Sequence, residues 1–345
     1  MEESLKKDLN NLFSKLKKCK NIFNYDELLA MLSAYEEIIK EQNLDVEIPK
    51  VLDYEEIKFQ NKLNEFYIKD FKLFIKEFNN MYDMNKEFID SYKSILDEYA
   101  MPVNYYVYKQ TLSEEKIINL VKEFYKYYDK DVYNYVNYMF DEKRVFFTNS
   151  VIDDANGLFT EGYEDILPYI NVEKTNTVSD VFCLGHELMH GYVNSLVKYA
   201  SDKEKRRMYY NNLGEVYPKF IELVILDYLN MIGYNNRDLD LYKKDYDDSI
   251  IEGIQGFDYF LEEDMDIQEN QRLFHNIEGY LYAEIMAYNY HEKYLGNKDE
   301  VNNNIKNLVI DNKYYDREYL LNNYGLSFDD LKNKKILTKN LYKRI

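Results

Sequence analysis

Apolar residues recur every three or four positions over most of this chain, the spacing that places side chains on one face of an α-helix. Residues 3–20, 26–42, 54–80 and 84–99 all carry it. In the second of these, Leu28, Leu29, Leu32, Tyr35 and Ile38 form a stripe behind an opening Tyr25-Asp26. Pro102 closes this first block. Thr111-Leu-Ser-Glu114 has the form of a capping box and opens a helix expected to run to about Tyr138. The period then shortens. Arg144-Val-Phe-Phe-Thr148 and Leu167-Pro-Tyr-Ile-Asn-Val172 are brief, β-branched and aromatic, with a loop from Asp153 to Gly162 between them. They read as a small sheet inserted in a helical protein. Helical spacing resumes near Val178 and holds to the end. Four prolines and eleven glycines in 345 residues leave few breakers, which suits long helices. No internal repeat and no low-complexity linker interrupts the pattern.

Charge narrows the field of partners. A net charge of −19 and a pI near 4.8 repel nucleic acid and anionic membranes. No apolar run approaches the length of a membrane span. The first twenty residues lack the apolar core and the small-residue cleavage site of a signal peptide. The two cysteines, Cys19 and Cys183, make no disulfide framework. A soluble, cytoplasmic protein is the expectation. Cys183 lies three residues before His186, and a small buried side chain is the simpler reading of it than a metal-binding thiolate. The thirty-eight tyrosines carry no functional weight by themselves.

Histidine is the informative residue. The chain has four, and two stand in the run His186-Glu-Leu-Met-His190. Residues four apart share a helix face, so both imidazoles can bind one ion. Glu187 between them points aside, toward a water held on that ion. A catalytic zinc site needs a third protein ligand and an open position. Glu215 and Glu222 offer candidates in the apolar segment from Asn212 to Leu229; seven apart, they share a face, and burying them without a partner would be costly. Pro218 requires that Glu215 sit at the helix start, because proline is tolerated only in the first turn. Asp180 and Glu222 are candidates to orient the histidines, and Asp180 can equally cap its helix.

These residues, in this order, resemble the thimet oligopeptidase and oligoendopeptidase F family of zinc metallopeptidases. Pro168-Tyr-Ile followed by Ser179 to His190 is similar to the family's strand and zinc helix. Glu215-Val-Tyr-Pro-Lys-Phe-Ile-Glu222 is similar to its second zinc helix, and the twenty-five residues from His190 to Glu215 match its spacing. Gly279-Tyr-Leu-Tyr-Ala-Glu-Ile-Met286 is similar to the helix bearing its transition-state tyrosine. The resemblance implies one zinc ion on His186, His190 and Glu215, with Glu187 as general base activating the zinc-bound water. Tyr280 would be the hydroxyl donor to the oxyanion and His275 its helper. It implies a zinc metalloendopeptidase acting on short peptides. The expected fold is mainly α: an elongated multi-helix protein with a small β-sheet next to the zinc helix and a substrate cleft. Residues 1–140 would form a helical part of the cleft wall and residues 141–345 the catalytic region. A peptide could pair with an edge strand at 157–163, where Gly157, Gly162 and Tyr163 would touch substrate.

The chain also departs from the family. Met189 stands where glycine is usual and Val193 where a further histidine is usual. His275 is displaced from the family's histidine, and the chain is shorter than typical members. Two other readings stay open: a zinc hydrolase that trims a peptide terminus, and a non-proteolytic helical protein that binds peptides or partners and keeps a zinc site.

Overall fold

The computed structural model describes residues 2–18, scattered positions between 28 and 45, residues 107–149, 151, 156–162, 166–262 and 267–324. The helices expected at 54–80 and 84–99 lie outside the described residues. The chain divides into two compact units, residues 1–76 with 114–176, and residues 77–113 with 177–345.

In the first unit, helix α1 (Glu2–Lys18) presents Leu5, Leu9, Leu12 and Leu16 on one face, and all four are buried. The stripe meets Leu28, Met31, Leu32, Tyr35, Ile38 and Ile39, whose burial follows the spacing read from the sequence. The helix expected from 111 to 138 is two helices, α2 (Glu114–Tyr128) and α3 (Lys130–Asp141). Asp129 makes the break. Its backbone is extended and its carboxylate accepts from the N–H groups of Asp131 at 2.8 Å and Val132 at 3.1 Å, so it caps α3. Apolar period alone does not reveal such a stop, since the stripe continues on both sides.

Three short strands follow. β1 (Val145–Thr148) pairs parallel with β3 (Tyr169–Glu173), and β2 (Gly157–Thr160) pairs antiparallel with β3. The order is β1-β3-β2. Of the two readings of 157–163, loop and edge strand, residues 157–160 take the edge strand. Central β3 buries Tyr169 to Val172 without alternation, as a strand covered on both faces must. Thr148 donates to Asn171 at 2.8 Å, which satisfies two buried polar groups across β1 and β3. Arg144 donates to Asp8 at 2.6 Å and to Tyr35 at 3.2 Å, tying α1 to the start of β1.

Every element described in the second unit is a helix. It comprises α4 (Ser179–Val197), α5 (Asp202–Asn211), α6 (Val216–Met231), α7 (Asn236–Glu262), α8 (Ile267–Tyr294), α9 (Lys298–Asp311) and α10 (Arg317–Asn323). Helix α6 is apolar on nearly every side and packs against α8, α4 and α7, so it is the core helix of the unit. Among the described residues no helix is long and apolar enough to cross a membrane.

Candidate metal centre

Helix α4 is apolar around most of its circumference, and Val181, Phe182, Leu184, Leu188, Met189 and Tyr192 are buried. Burial on this scale, not capping, holds the helix, because its N-cap Val178 offers no side-chain bond. His186 and His190 project from one face of it, with ring centroids 4.7 Å apart. Asp180 is buried in the first turn, and the cap position belongs to Val178.

Glu215 arrives from the other side. The chain leaves α5 through Asn212, which takes the left-handed conformation at φ 54° and ends that helix. The turn is held at both ends. Asn211 donates to the Asn312 side chain at 2.7 Å and to the Tyr315 carbonyl at 2.8 Å. Asn212 donates to Glu278 at 3.2 Å. A β-carbon at Gly279 would stand 2.4 Å from Asn212 Oδ1, so glycine there permits the close approach of α8. Glu215 then occupies the N-cap of α6, and Pro218 falls in the first turn, where its missing N–H costs nothing.

The His186 ring lies between two carboxylates. Its Nδ1 is 2.6 Å from Glu222 Oε1, and its Nε2 is 3.2 Å from Glu215 Oε2. A carboxylate only accepts, so Nδ1 donates to Glu222 and Nε2 faces the cluster, where a proton and a metal ion compete for it. His190 Nε2 is 3.2 Å from the same Glu215 oxygen and 3.0 Å from His186 Nε2. Metal–ligand bonds of about 2.0–2.1 Å set neighbouring ligand atoms of a tetrahedral zinc ion about 3.3 Å apart. The near-equilateral triangle of three donor atoms matches that edge, and all three can serve one cation. Glu215 Oε2 is buried and, despite its two neighbours, has no properly directed hydrogen bond. An orphaned acceptor facing two imidazole Nε2 atoms is a place for a cation.

The electrostatics agree. Burial opposes charge on His186, but the close carboxylates of Glu215 and Glu222 lift its pKa to about 10. Burial works to raise Glu215, yet His190 and His186 hold it well below the usual carboxylate range. Glu222 is likewise opposed by burial and brought down to about 2, by Lys219 and His186. The site takes up positive charge wherever it can.

Glu187 is buried beside His186 on α4. Tyr280 lies on α8; 45% of the residue is exposed, while Glu215 is the largest influence on its hydroxyl and, with burial, raises its pKa. Glu187 acts on that hydroxyl in the same direction, so Tyr280 belongs to the neighbourhood of the cluster. His275 falls within α8, but its side chain lies outside the described residues, as does Tyr163. Gly157 opens β2. At Gly162 a β-carbon would meet the Ile166 carbonyl at 2.6 Å, so the close approach it allows is to its own chain. Cys183 is half-buried and is not among the converging ligands.

Three side chains at the site escaped sequence reasoning. Lys219 lies 3.4 Å from Glu222 and 3.5 Å from Glu284, and the Tyr242 hydroxyl donates to Glu222 at 2.6 Å. Lys219 had a signal, a lone cation in an apolar helix three residues before a buried glutamate. Tyr242 had none among so many tyrosines.

No family model matches the sequence, and no curated protein does. Solved structures do. A structure designated oligoendopeptidase F from Bacillus anthracis aligns over 96% of this chain and 68% of its own, with 15% identity and a TM-score of 0.56. Pz peptidase A with an inhibitor aligns over 78% of this chain and 57% of its own, with 14% identity and a TM-score of 0.52. Another oligoendopeptidase F structure aligns over 66% of this chain at 13% identity and a TM-score of 0.51, and the chain spans about half of its length, 48%. At such identities the likeness is one of architecture: this chain has the fold seen in the oligoendopeptidase F and Pz peptidase A structures.

Proposed function

We propose that the protein is a zinc-dependent metalloendopeptidase that hydrolyses short peptides. One observation carries the reading, the convergence of His186 Nε2, His190 Nε2 and Glu215 Oε2 with separations of 3.0–3.2 Å around an orphaned carboxylate oxygen. The shared fold with structures designated as peptidases supports it. Zinc held there would supply Lewis acidity and bring the pKa of a coordinated water toward neutrality. Glu222 keeps the Nδ1 proton of His186 in place and so directs its other nitrogen inward. Glu187 takes the proton of the attacking water and returns it to the departing amine. The Tyr280 hydroxyl stays protonated, so it can donate to a developing oxyanion without adding charge of its own. His275 is proposed as its helper. Strand β2 is proposed to pair with an extended peptide at the sheet edge, and Gly157, Gly162 and Tyr163 are proposed as substrate-binding residues.

The test joins metal analysis to digestion of a peptide library. Wild-type protein should hold one zinc per chain and cleave within peptides blocked at both ends. Cleavage only of peptides with free termini would point to a trimming hydrolase. Glu187→Gln should keep the zinc and lose about 10²–10⁴-fold in kcat/KM. Zinc binding with no hydrolysis by the wild type would favour the non-proteolytic binding protein.

A further inference from the structure

One ammonium group stands inside the acidic surround of this site. Lys219 projects from α6, four residues after Glu215 and three before Glu222. Its Nζ lies 3.4 Å from Glu222 Oε1 and 3.5 Å from Glu284 Oε1, with only 15% of its side chain exposed. It also lies 5.3 Å from the ring centre of Tyr246 and 5.8 Å from that of Tyr280. The Tyr246 hydroxyl donates to the Lys219 carbonyl at 3.3 Å, fastening this turn to α7.

A buried ammonium costs several kcal/mol to desolvate, and an apolar helix gives no local reason to include one. Three uses are open to it. A substrate carboxylate would have to compete with two carboxylates already paired to the nitrogen. General-base work needs a neutral amine, and the neighbours that offset burial, Glu222 and Glu284 foremost, keep this one charged. Geometry favours the third use. Glu222 Oε1, the oxygen nearest Lys219, is the atom that accepts from His186 Nδ1. Its other oxygen accepts from Tyr242 at 2.6 Å. Donors from α4, α6 and α7 thus meet on one carboxylate, and Ser249 holds Glu284 on the far side of the ammonium at 2.7 Å.

We propose that Lys219 is a positioning residue of the metal centre, which together with Tyr242 clamps Glu222 against His186 Nδ1. That an ion is held, and that it is zinc, rests on the function proposed above; the clamp is a property of the metal-free protein as well. Without Lys219 one oxygen of Glu222 is released, and Glu222 and Glu284 repel each other across the gap.

Four histidines make the test tractable, because selective ¹⁵N labelling of histidine gives few signals. In metal-free protein the His186 Nδ1–H resonance, assigned by its loss in Glu222→Gln, should broaden or vanish in Lys219→Met and survive in Lys219→Arg. In parallel the zinc Kd, measured by competition with a chromophoric chelator, should rise about tenfold in Lys219→Met. In a Glu222→Gln background the same substitution should add little, because the lysine acts through that carboxylate. An unchanged resonance and Kd in Lys219→Met, or an equal loss in both backgrounds, overturns the proposal. If Lys219→Met does not fold, Tyr242→Phe must broaden the same resonance, and its failure to do so is equally decisive. A wild-type protein that takes up no zinc overturns the proposed function, and the metal-free resonance still decides the role of Lys219.

Discussion

Two buried ionic clusters flank the segment 211–215, and they differ in the kind of cation that satisfies them. On one side Arg317 of α10 donates to both oxygens of Glu278, at 2.9 and 3.3 Å, and to the carbonyl of Asn211 at 2.8 Å. One permanent cation meets one carboxylate, and the guanidinium spends its remaining donors on backbone. On the other side Glu187, Glu215, Glu222 and Glu284 gather around two imidazoles and one ammonium. The first cluster is complete as a structural joint. Among the described residues the second carries more acid than fixed cation, which leaves room for something exchangeable: a proton on His186 or, as proposed, a metal ion. A balanced buried pair holds a fold, whereas an unbalanced one selects a ligand.

The sharpest way to test that contrast is to break the permanent pair. Arg317→Met should destabilise the protein by about 3–5 kcal/mol, since it leaves Glu278 buried and uncompensated. Chemical denaturation measures this, and the loss should be the same with and without zinc after allowance for metal linkage. A small loss would mean that the joint is not what holds the segment. Glu222→Gln should raise the zinc Kd by about 10–100-fold, the usual consequence of removing a partner that orients a metal-binding histidine. Unaltered affinity would show that His186 needs no such partner.

The dependence on pH separates the clusters more gently. The pKa of His186 is raised from 6.5 to about 10, so its contribution is whole below pH 6.5 and is lost as the pH climbs through 10. That of Glu222 is lowered from 4.5 to about 2, so its contribution is present above pH 4.5 and is lost as the pH falls toward 2. Metal-free protein should therefore melt highest between about pH 5 and 6.5. Saturating zinc should remove the alkaline decline by taking the place of the proton. Melting curves across pH in chelator and in zinc give the answer, and a parallel alkaline decline in both would place the titrating group elsewhere. The smallest effect expected is at the sheet: shortening 157–162 should raise KM a few-fold if β2 holds the peptide, and an unchanged KM would retire that role.

Legibility followed the range of the interaction. The stripe Leu5, Leu9, Leu12 and Leu16 was plain, because a helix sorts its faces by local spacing. So was the pairing of His186 with His190, which needs one helical turn. The break at Asp129 was not, since a single capping carboxylate competes with an uninterrupted stripe. Strand β2 was half legible: 157–163 could be read as an edge strand or as a loop, and only pairing with β3 across a gap in sequence decides for the strand. Glu222 could be placed on the face of Glu215 but not assigned to an atom of His186. Tyr242, twenty residues beyond Glu222, could not be connected to it at all.

The sequence by itself determined the local geometry: which faces the helices bury, and that two imidazoles and a glutamate share one turn. The tertiary structure decided everything that depends on distance between helices. It brought Glu215 onto the His186–His190 edge, set Glu222 behind the ring, and packed Lys219 among carboxylates from two helices. The physical reason is that a backbone fixes spacing within an element through its own hydrogen bonds, whereas the meeting of elements is set by non-directional burial of apolar surface. Burial of that kind can bring many different side chains together, and only the packed core picks which.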